Sequence, residues 1–520
     1  MRKVETSEDY IHPSLSLLPT TTPRTYWRPG AKDNTLNAWR HRCDLVASRP
    51  TNDKLRGRSI AIKDNVSIGG LPTTAGTFTE LLCKDGNLPV SPIDASVVSR
   101  VLAAGAVLKG SSNCENYCIM PLSFTSATGP VHNPWMHGYT TGGSSSGSGA
   151  LVAARLAERE TGKSLGETVD MAIGGDQGGS IRIPASYNGI YGLKPTHGLV
   201  PYTGAVPLAP MIDHLGPMAA NLEDIASLLQ VLAGWDGLDP RMTPESPLPG
   251  QVQDYPGILA EFRNRKSAAE GSLDKPLRIG ILTESFNLPG VSQEVRDTVR
   301  ESARSAFTAA GAAVRDVSVP IHLDAFQIWT AATRPSSCEW ACQAKTSGFL
   351  SFLPPHIRAQ WPPDQTMYEL LTATNPAVMN VIFSHSALAK HYGSDLEAKA
   401  HRKIFELRAA YDRAFADVDI LVTPCAPTVA IRHPKMQADA EGPRSTVMEK
   451  MGPVGPVTQN TAPFNATGHP AMSAPCGIGS AEGQPDVKLP IGMQLVGRRW
   501  EDATVLKAAV VLEEGRAMAS

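Results

Sequence analysis

A glycine-rich segment at residues 174–185, Gly-Gly-Asp-Gln-Gly-Gly-Ser-Ile-Arg-Ile-Pro-Ala, constrains this chain more than any other feature. Glycine tolerates positive φ and close backbone approach, so successive N–H groups in such a turn can converge on one point. The N–H groups of Gln177, Gly178 and Gly179 directly precede Ser180. A serine beside clustered N–H donors has the layout of a nucleophile next to an oxyanion hole. The plainer alternative is an anion-binding turn without chemistry.

Two upstream segments supply further polar groups. Residues 142–149, Gly-Gly-Ser-Ser-Ser-Gly-Ser-Gly, form a second glycine/serine cluster, and Lys63 lies in a strand-like run at residues 59–66. A serine hydroxyl needs a base at neutral pH, and the usual histidine is available in His197 and His214. Lysine has a reference pKa of about 10.4, so it accepts a proton only where burial or nearby dipoles hold it neutral. The apolar neighbours of Lys63 favour its burial.

The order of lysine, Gly/Ser cluster and Gly-Gly-Ser resembles the amidase signature family of Ser–Ser–Lys hydrolases. The likeness covers most of the chain from Lys63 onward. It is closest to the amidases associated with nitrile degradation, which share the run Ile-Gly-Gly-Asp-Gln-Gly-Gly-Ser-Ile-Arg-Ile-Pro at residues 173–184. The further matching segments are residues 192–205, 212–217, 460–464 and 489–493.

The resemblance implies a role for each site residue. Ser180 is expected to be the nucleophile, Ser144 the bridging serine that follows a cis peptide bond, and Lys63 the base, with Ser145 adding supporting hydrogen bonds. Ser180 would attack an amide carbon, and its proton would pass through Ser144 and Lys63 to the leaving nitrogen. Water would then hydrolyse the acyl-enzyme to a carboxylic acid, with ammonia or an amine as the other product. No metal or organic cofactor is expected.

Asp176 and Arg182 flank the expected nucleophile. We interpret them as a structural ion pair, or as partners of backbone groups, that fixes the loop. A direct catalytic role is the less favoured alternative.

Two features depart from the family pattern. Ser146 stands where many relatives have glycine, and Ser144 lies 36 positions before Ser180, a longer interval than is usual. The excess falls in the polar residues 156–167, which we interpret as a surface insertion that extends a helix end.

Strand-like and helix-like segments alternate along the chain, which predicts an α/β fold. The amidase signature fold implied by the resemblance is a large mixed β-sheet covered by helices on both faces. Residues 1–50 are predicted to be an N-terminal surface segment that precedes a first strand at about Ser59, and residues 51–520 the amidase domain. Within it, the Pro/Gly-rich residues 240–276 are predicted to be a linker or surface excursion.

Composition narrows the possible partners. An apolar fraction of 42%, a charged fraction of 19% and a formal net charge of −2 describe an ordinary globular chain without a basic run, so no nucleic-acid partner is expected. No secretory signal or membrane span is expected, and eight dispersed cysteines fit a reducing compartment, so the cytoplasm is predicted. Cys114/Cys118 and Cys338/Cys342 are interpreted as packing residues. A homodimer is one possible assembly. Close relatives carry a helical N-terminal extension involved in dimerisation, and its truncation here argues against dimerisation by that route.

Three other functions fit parts of the sequence. A glutaminase subunit of an amidotransferase shares the family signature but passes ammonia to a partner. An α/β-hydrolase esterase would use the Gly-x-Ser-x-Gly pattern at residues 143–147, although it leaves Lys63 and Ser180 unexplained. A catalytically silent binding protein would need a defect that the sequence does not show.

The substrate pocket is expected to be shaped by residues 325–392 and 460–469. Aromatic side chains in these segments either line an aryl-accepting pocket or belong to the core, and the sequence leaves both open. These side chains are Phe326, Trp329, Trp340, Trp361 and Phe464.

Overall fold

The computed structural model describes residues 1–8, 10–82, 88, 90–268, 276–343, 345, 352, 361–439 and 442–519. Eleven strands of these residues form one sheet. They are β1 (Trp39–Leu45), β2 (Ser59–Lys63), β3 (Val107–Ser112), β4 (Met171–Asp176), β5 (Tyr191–Lys194), β6 (His214–Ala219), β7 (Arg278–Leu282), β8 (Ala313–Val317), β9 (Ile420–Pro424), β10 (Ala471–Ala481) and β11 (Gln484–Gly497).

The sheet is mixed, with the order β1-β3-β2-β4-β6-β5-β10-β11-β9-β7-β8. Strand β2 runs parallel to both β3 and β4, and β7 runs parallel to both β8 and β9. The remaining neighbours pair antiparallel. The predicted mixed α/β sheet is confirmed.

Helices surround this sheet. They are α1 (Arg2–Glu5), α2 (Thr79–Leu82), α3 (Ser96–Ala103), α4 (Ser146–Thr161), α5 (Arg182–Asn188), α6 (Leu222–Leu232), α7 (Tyr255–Ala268), α8 (Gln293–Ala309), α9 (Ala325–Ser336), α10 (Gln365–Thr374), α11 (Pro376–Tyr392), α12 (Asp395–Ala414), α13 (Val447–Met451), α14 (Val454–Thr458), α15 (Ala462–Thr467) and α16 (Asp502–Ala519). A π-helical turn, Ser337–Cys342, continues α9. None of the helices in the described residues has the length and apolar character needed to cross a bilayer.

Both faces of the sheet are covered, because every residue of β4, β5, β6 and β9 is buried. Along β2, Ile60 and Ile62 join the core that contains α3, α6, α8 and α16, whereas Ala61 joins the core that contains α4 and the start of α5. Since side chains alternate between the faces of a strand, Lys63 lies on the same face as Ala61. The local alternation therefore directs the lysine toward the Gly/Ser cluster at the start of α4.

The first sheet strand begins earlier than predicted. Strand β1 pairs antiparallel with β3, and most of its residues are buried. The expectation of a first strand at about Ser59 is therefore wrong. The arginines between the apolar positions hid this strand, yet Arg40 and Arg42 are both buried, and Arg42 stacks on the ring of Trp39.

The segment at residues 240–276 contains a helix, α7, that packs against α6 and α16. The linker or surface excursion predicted there is thus corrected for residues 255–268, while residues 269–275 lie outside the described residues. Tyr255 and Leu259 are the buried side chains within residues 255–264. Two buried positions give too weak a helical periodicity to be recognised in a sequence.

The end of α4 and the paired cysteines were also predicted from the sequence. Helix α4 continues to Thr161 and ends at Gly162 in the left-handed conformation, so the polar residues after 156 extend a helix end at the surface. The paired cysteines Cys114/Cys118 and Cys338/Cys342 are buried together in one hydrophobic cluster, as packing residues would be.

Candidate active site

Lys63 ends β2 with its side chain fully buried. Its Nζ donates to Ser144 Oγ at 2.8 Å and to the Gly175 carbonyl at 3.0 Å. The register explains the second contact, because Ile62 pairs with Ile173 and the two parallel strands end side by side. The adjacent Asp64 points its carboxylate elsewhere, toward the N–H groups of Thr74 and Gly76.

Ser144 and Ser145 form the turn that leads into α4. The Gly143–Ser144 peptide bond is cis, as the family resemblance implied. Ser145 Oγ donates to the Gly175 carbonyl and accepts from the Gly175 N–H, both at 3.2 Å. A Cβ at Gly143 would lie 2.7 Å from the Met120 carbonyl, so this position requires glycine. The turn is thereby tied to the end of β4 through the Ser145 side chain.

Ser180 follows β4 at the start of α5. Its carbonyl accepts from the Ser145 N–H at 3.2 Å, which joins the two glycine-containing loops. Ser180 is 9% exposed, whereas Ser144 and Lys63 are both 0% exposed. The Ser180 side chain makes no hydrogen bond with the part of the chain that the structure describes. Lys63 and Ser144 are thus a buried, directly hydrogen-bonded pair. Ser180 is the more exposed residue and is tied to the same turn through its carbonyl.

The backbone N–H groups at and before Ser180 differ in whether they already have a hydrogen-bond acceptor. Gly179, at φ +134°, donates its N–H to Asp176 Oδ1 at 2.7 Å, and a Cβ on Gly179 would collide with Thr461. Within the described ranges, the N–H groups of Gln177, Gly178 and Ser180 donate to no protein acceptor. The expectation that Gly179 adds to an oxyanion hole is therefore corrected, because its N–H already has an acceptor.

Asp176 and Arg182 form a fully buried ion pair. The guanidinium donates to the carboxylate through Nη2 at 2.9 Å and Nε at 3.0 Å, and the Ile181 N–H donates to it as well. Arg182 also donates to the Thr461 carbonyl and to Gln494. Burial alone would raise the pKa of Asp176, but the Arg182 charge and these hydrogen bonds outweigh it and hold that pKa below its ordinary value. The pair braces the loop that carries Ser180 against distant parts of the chain.

Ser180 opens onto a cavity of about 140 Å³. Trp329 of α9 forms part of its wall and donates its indole N–H to the Gln177 carbonyl at 3.0 Å. Phe326 stacks on Trp329 with ring centroids 5.8 Å apart. The cavity is lined by Cys118, Ile119, Met120, Pro121, Gln177, Gly178, Ser180, Leu208, Phe326, Trp329, Thr333, Arg334, Ser337, Ala377, Asn380, Val381, Met451, Val454 and Thr458.

Residues 37–506, which include Lys63, Ser144 and Ser180, match the family model described as Amidase. The chain belongs to the amidase family. An enantioselective amidase of Rhodococcus rhodochrous is 36% identical over 94% of this chain and 86% of its own length. A glutamyl-tRNA(Gln) amidotransferase subunit of Synechococcus sp. (strain WH7803) is 32% identical over 88% of this chain and 83% of its own length. The native peptide amidase of Stenotrophomonas maltophilia superposes with a TM-score of 0.64 at 25% identity, over 88% of this chain and 82% of that structure.

These matches confirm the predicted family, its fold and an amide-hydrolysing enzyme.

Of the five aromatic residues considered for the pocket, only Phe326 and Trp329 are among the lining residues. Phe464 is fully buried beside Tyr411, and Trp361 packs in the cluster that holds the paired cysteines. Trp340 is not among the lining residues either. The wall includes residues 118–121 and the side chains of Met451, Val454 and Thr458, which were not predicted. Residues 344, 346–351 and 353–360 of the predicted pocket segment lie outside the described residues.

The histidine alternative has no geometric support. His197 bonds to the Pro210 carbonyl at 2.9 Å, and His214 bonds to the Ile212 carbonyl at 2.7 Å. Neither ring lines the cavity of this amidase or bonds to Ser180. Burial lowers the pKa of both imidazoles, that of His197 to about 4.

Sequence reasoning missed Glu115. This fully buried carboxylate accepts from the Thr125 N–H at 2.7 Å, from Thr125 Oγ1 at 2.6 Å and from Ser146 Oγ at 2.7 Å. Burial raises the pKa of Glu115 to about 7, against the opposing effect of these hydrogen bonds. Its N–H donates to the Ser144 carbonyl at 3.3 Å. The available signal was Ser146 in place of glycine, since a new buried hydroxyl requires a partner.

Proposed function

We propose that this enzyme hydrolyses carboxylic amides to the acid and ammonia through an acyl-enzyme on Ser180, with Ser144 and Lys63 as the proton relay. One observation carries the proposal: Lys63 Nζ donates to Ser144 Oγ at 2.8 Å in a fully buried pair, next to a serine that faces a cavity. The substrate partner is a small-molecule amide.

The reaction divides into two acyl transfers. In the first, a bond forms from Ser180 Oγ to the amide carbon, and the Ser180 proton passes to Ser144, whose own proton passes to Lys63. The C–N bond then breaks, and the relay returns a proton to the leaving nitrogen. In the second, a water oxygen bonds to the ester carbon, and the water proton passes through Ser144 to Lys63. The bond from that carbon to Ser180 Oγ then breaks, the relay returns the proton to Ser180 Oγ, and the acid is released.

The negative charge that develops on the carbonyl oxygen needs fixed donors. We assign this role to the N–H groups of Gln177, Gly178 and Ser180, which have no acceptor among the described residues. One such donor contributes about 3–4 kcal/mol to transition-state stabilisation. Asp176 and Arg182 position the loop that carries these groups.

A glutaminase is the second candidate, and it is favoured by one observation. The amidotransferase subunit of Synechococcus is 32% identical to this chain over 88% of its residues. A glutaminase of that kind would release ammonia from glutamine, and a partner chain would receive it.

Ammonia release tests both candidates. Purified protein alone is given short aliphatic amides, aryl amides and glutamine, with Ser180→Ala as the inactive variant and Ser164→Ala, an exposed serine, as the matched control. Release from simple amides that only Ser180→Ala abolishes supports the amidase proposal. Release restricted to glutamine, or dependent on an added partner, supports the glutaminase. Amide hydrolysis that survives Ser180→Ala would contradict both assignments of the nucleophile.

A further inference from the structure

Arg334 is the one charged side chain among the residues that line the Ser180 cavity in the described part of the chain. It lies near the C-terminal end of α9, the helix that also contributes Phe326 and Trp329 to the same wall. The surrounding wall is largely apolar and includes Leu208 and Val381. A positive charge in a largely apolar wall is unfavourable unless a partner of opposite charge compensates for its lost hydration.

The guanidinium of Arg334 has no protein counterion among the described residues. Its Nε is buried without a hydrogen-bond partner, and no carboxylate of the described residues lies within 4.0 Å of it. The ionisable neighbours that influence Arg334 are the thiols of Cys338 and Cys342, and burial raises the pKa of both, which keeps them uncharged. In the sequence, residues 344–360 contain no Asp or Glu that could serve instead.

Arg334 is half-buried. Two arginines whose side chains are at most 7% exposed have carboxylate partners within the protein. Arg182 pairs with Asp176, and Arg241 pairs with Asp213 and Asp239. Buried charges are ordinarily paired, because an unpaired ion loses its hydration without compensation. Arg334 differs from Arg182 and Arg241 in facing the space where a substrate would lie.

We propose that Arg334 binds a carboxylate on the acyl part of the substrate, so that the preferred substrates are monoamides of dicarboxylic acids. The inference rests on the proposed amidase function. Guanidinium and carboxylate match in a planar, two-point hydrogen bond that lysine or a neutral donor does not reproduce. The carboxylate supplies the counterion that Arg334 does not have among the described residues.

The size of the cavity limits the spacer between the amide and the carboxylate of the substrate. Its volume of about 140 Å³ is close to that of an engineered apolar cavity that holds one benzene molecule. The stacked pair of Phe326 and Trp329 offers a flat apolar surface in the same wall. The spacer between amide and carboxylate is therefore a single aromatic ring or a short aliphatic chain.

The test compares 4-carbamoylbenzoate with its uncharged isostere 4-methylbenzamide. The enzyme, Arg334→Met and the exposed-site control Arg304→Met are assayed on both amides. We expect the wild type and Arg304→Met to prefer the carboxylate substrate in kcat/KM by at least about 10-fold, the scale of a hydrogen bond to a charged group. Arg334→Met is expected to lose this preference, mainly because KM for 4-carbamoylbenzoate rises. An equal preference in wild type and Arg334→Met overturns the proposal.

A binding measurement separates this proposal from the amidase proposal. Benzene-1,4-dicarboxylate, the product, is titrated by calorimetry into wild type, Ser180→Ala, Arg334→Met and Arg334→Lys. Tight binding to wild type and Ser180→Ala, weakened at least about 10-fold in Arg334→Met and partly restored in Arg334→Lys, supports the carboxylate site even if no amide is hydrolysed. Equal dissociation constants for wild type and both Arg334 variants overturn it. Arg334→Lys also keeps the test decisive if Arg334→Met does not fold.

Discussion

The two sides of the Ser180 cavity are built differently. On one side, Lys63, Ser144 and Ser145 are fully buried polar residues joined to the ends of adjacent strands by short hydrogen bonds. On the other side, α9 presents Phe326, Trp329 and Arg334. Phe326 stacks on Trp329, and Trp329 packs against a hydrophobic cluster that includes other α9 residues. We call these the relay side and the α9 side. The comparison teaches that hydrogen bonds to strand ends fix the residues we propose as the relay, while a packed helix forms the opposite cavity wall.

Replacing the lysine of the relay side is expected to have the largest effect. Lys63→Met keeps the side-chain length but leaves Ser144 Oγ without its proton acceptor, so kcat should fall by about 10³-fold or more for every amide. Exposed Lys163→Met is the matched control. Ammonia-release kinetics measure the loss, with circular dichroism to monitor folding. A loss confined to certain substrates would contradict the division between the two sides.

Breaking the Asp176–Arg182 ion pair, which holds the loop that carries Ser180, is expected to lower the free energy of unfolding. Asp176→Asn leaves the buried Arg182 guanidinium without its counterion, which should lower the free energy of unfolding by about 3–5 kcal/mol. Asp316→Asn, in an exposed pair with Arg304, should change it by less than about 1 kcal/mol. Urea denaturation compares the two variants. Equal effects would show that the Asp176–Arg182 pair does not brace the loop.

Glu115→Gln is expected to change how stability depends on pH. The pKa of Glu115 is raised from 4.5 to about 7, so between these values the folded protein holds a proton that the unfolded chain has released. Wild-type stability therefore falls as the pH rises from about 5 to 8. A glutamine at position 115 can donate to Ser146 and accept from Thr125, and its side chain does not gain or lose a proton in this pH range.

Urea denaturation at both pH values checks this prediction. Relative to wild type, Glu115→Gln should gain up to about 3 kcal/mol between pH 5 and pH 8. Glu301→Gln, at an exposed site, should show no such gain. If the difference between Glu115→Gln and wild type is independent of pH, Glu115 does not take up the proton on folding.

The smallest effect is expected on the α9 side. Trp329→Phe keeps an aromatic wall but removes the indole donor to the Gln177 carbonyl, a hydrogen bond of about 1 kcal/mol. We expect kcat/KM to fall about 5-fold, and by different factors for aryl and aliphatic amides. Trp340 does not line the cavity, so Trp340→Phe should leave kcat/KM unchanged for both aryl and aliphatic amides. A uniform large loss of kcat would place Trp329 with the relay instead.

The relay side was readable from the sequence, and the α9 side largely was not. Ser180, Ser144 and Lys63 sit in runs of glycine, serine and apolar residues whose types are dictated by local backbone geometry. The register of parallel β2 and β4 then brings Lys63 to Gly175. The cavity wall, in contrast, gathers residues from segments as distant as 118–121 and 451–458, and no local pattern links them.

Other misses have equally physical causes. Strand β1 was hidden because Arg40 and Arg42 are buried through tertiary contacts that composition does not reveal. The N–H of Gly179 is taken by Asp176, a detail of loop conformation that depends on the whole turn. Glu115 was missed because its partners, Thr125 and Ser146, lie in separate segments of the chain.

Covalent labelling of the nucleophile tests the central claim most directly. An alkyl fluorophosphonate, which phosphonylates activated serines, is reacted with the enzyme, and the modified residue is located by peptide mass spectrometry. The account predicts one label, on Ser180, and its slow formation in Lys63→Met. A label on Ser144 or Ser145, or an enzyme that stays fully active and unlabelled, would contradict the assignment of Ser180 as the nucleophile of the Lys63–Ser144 relay.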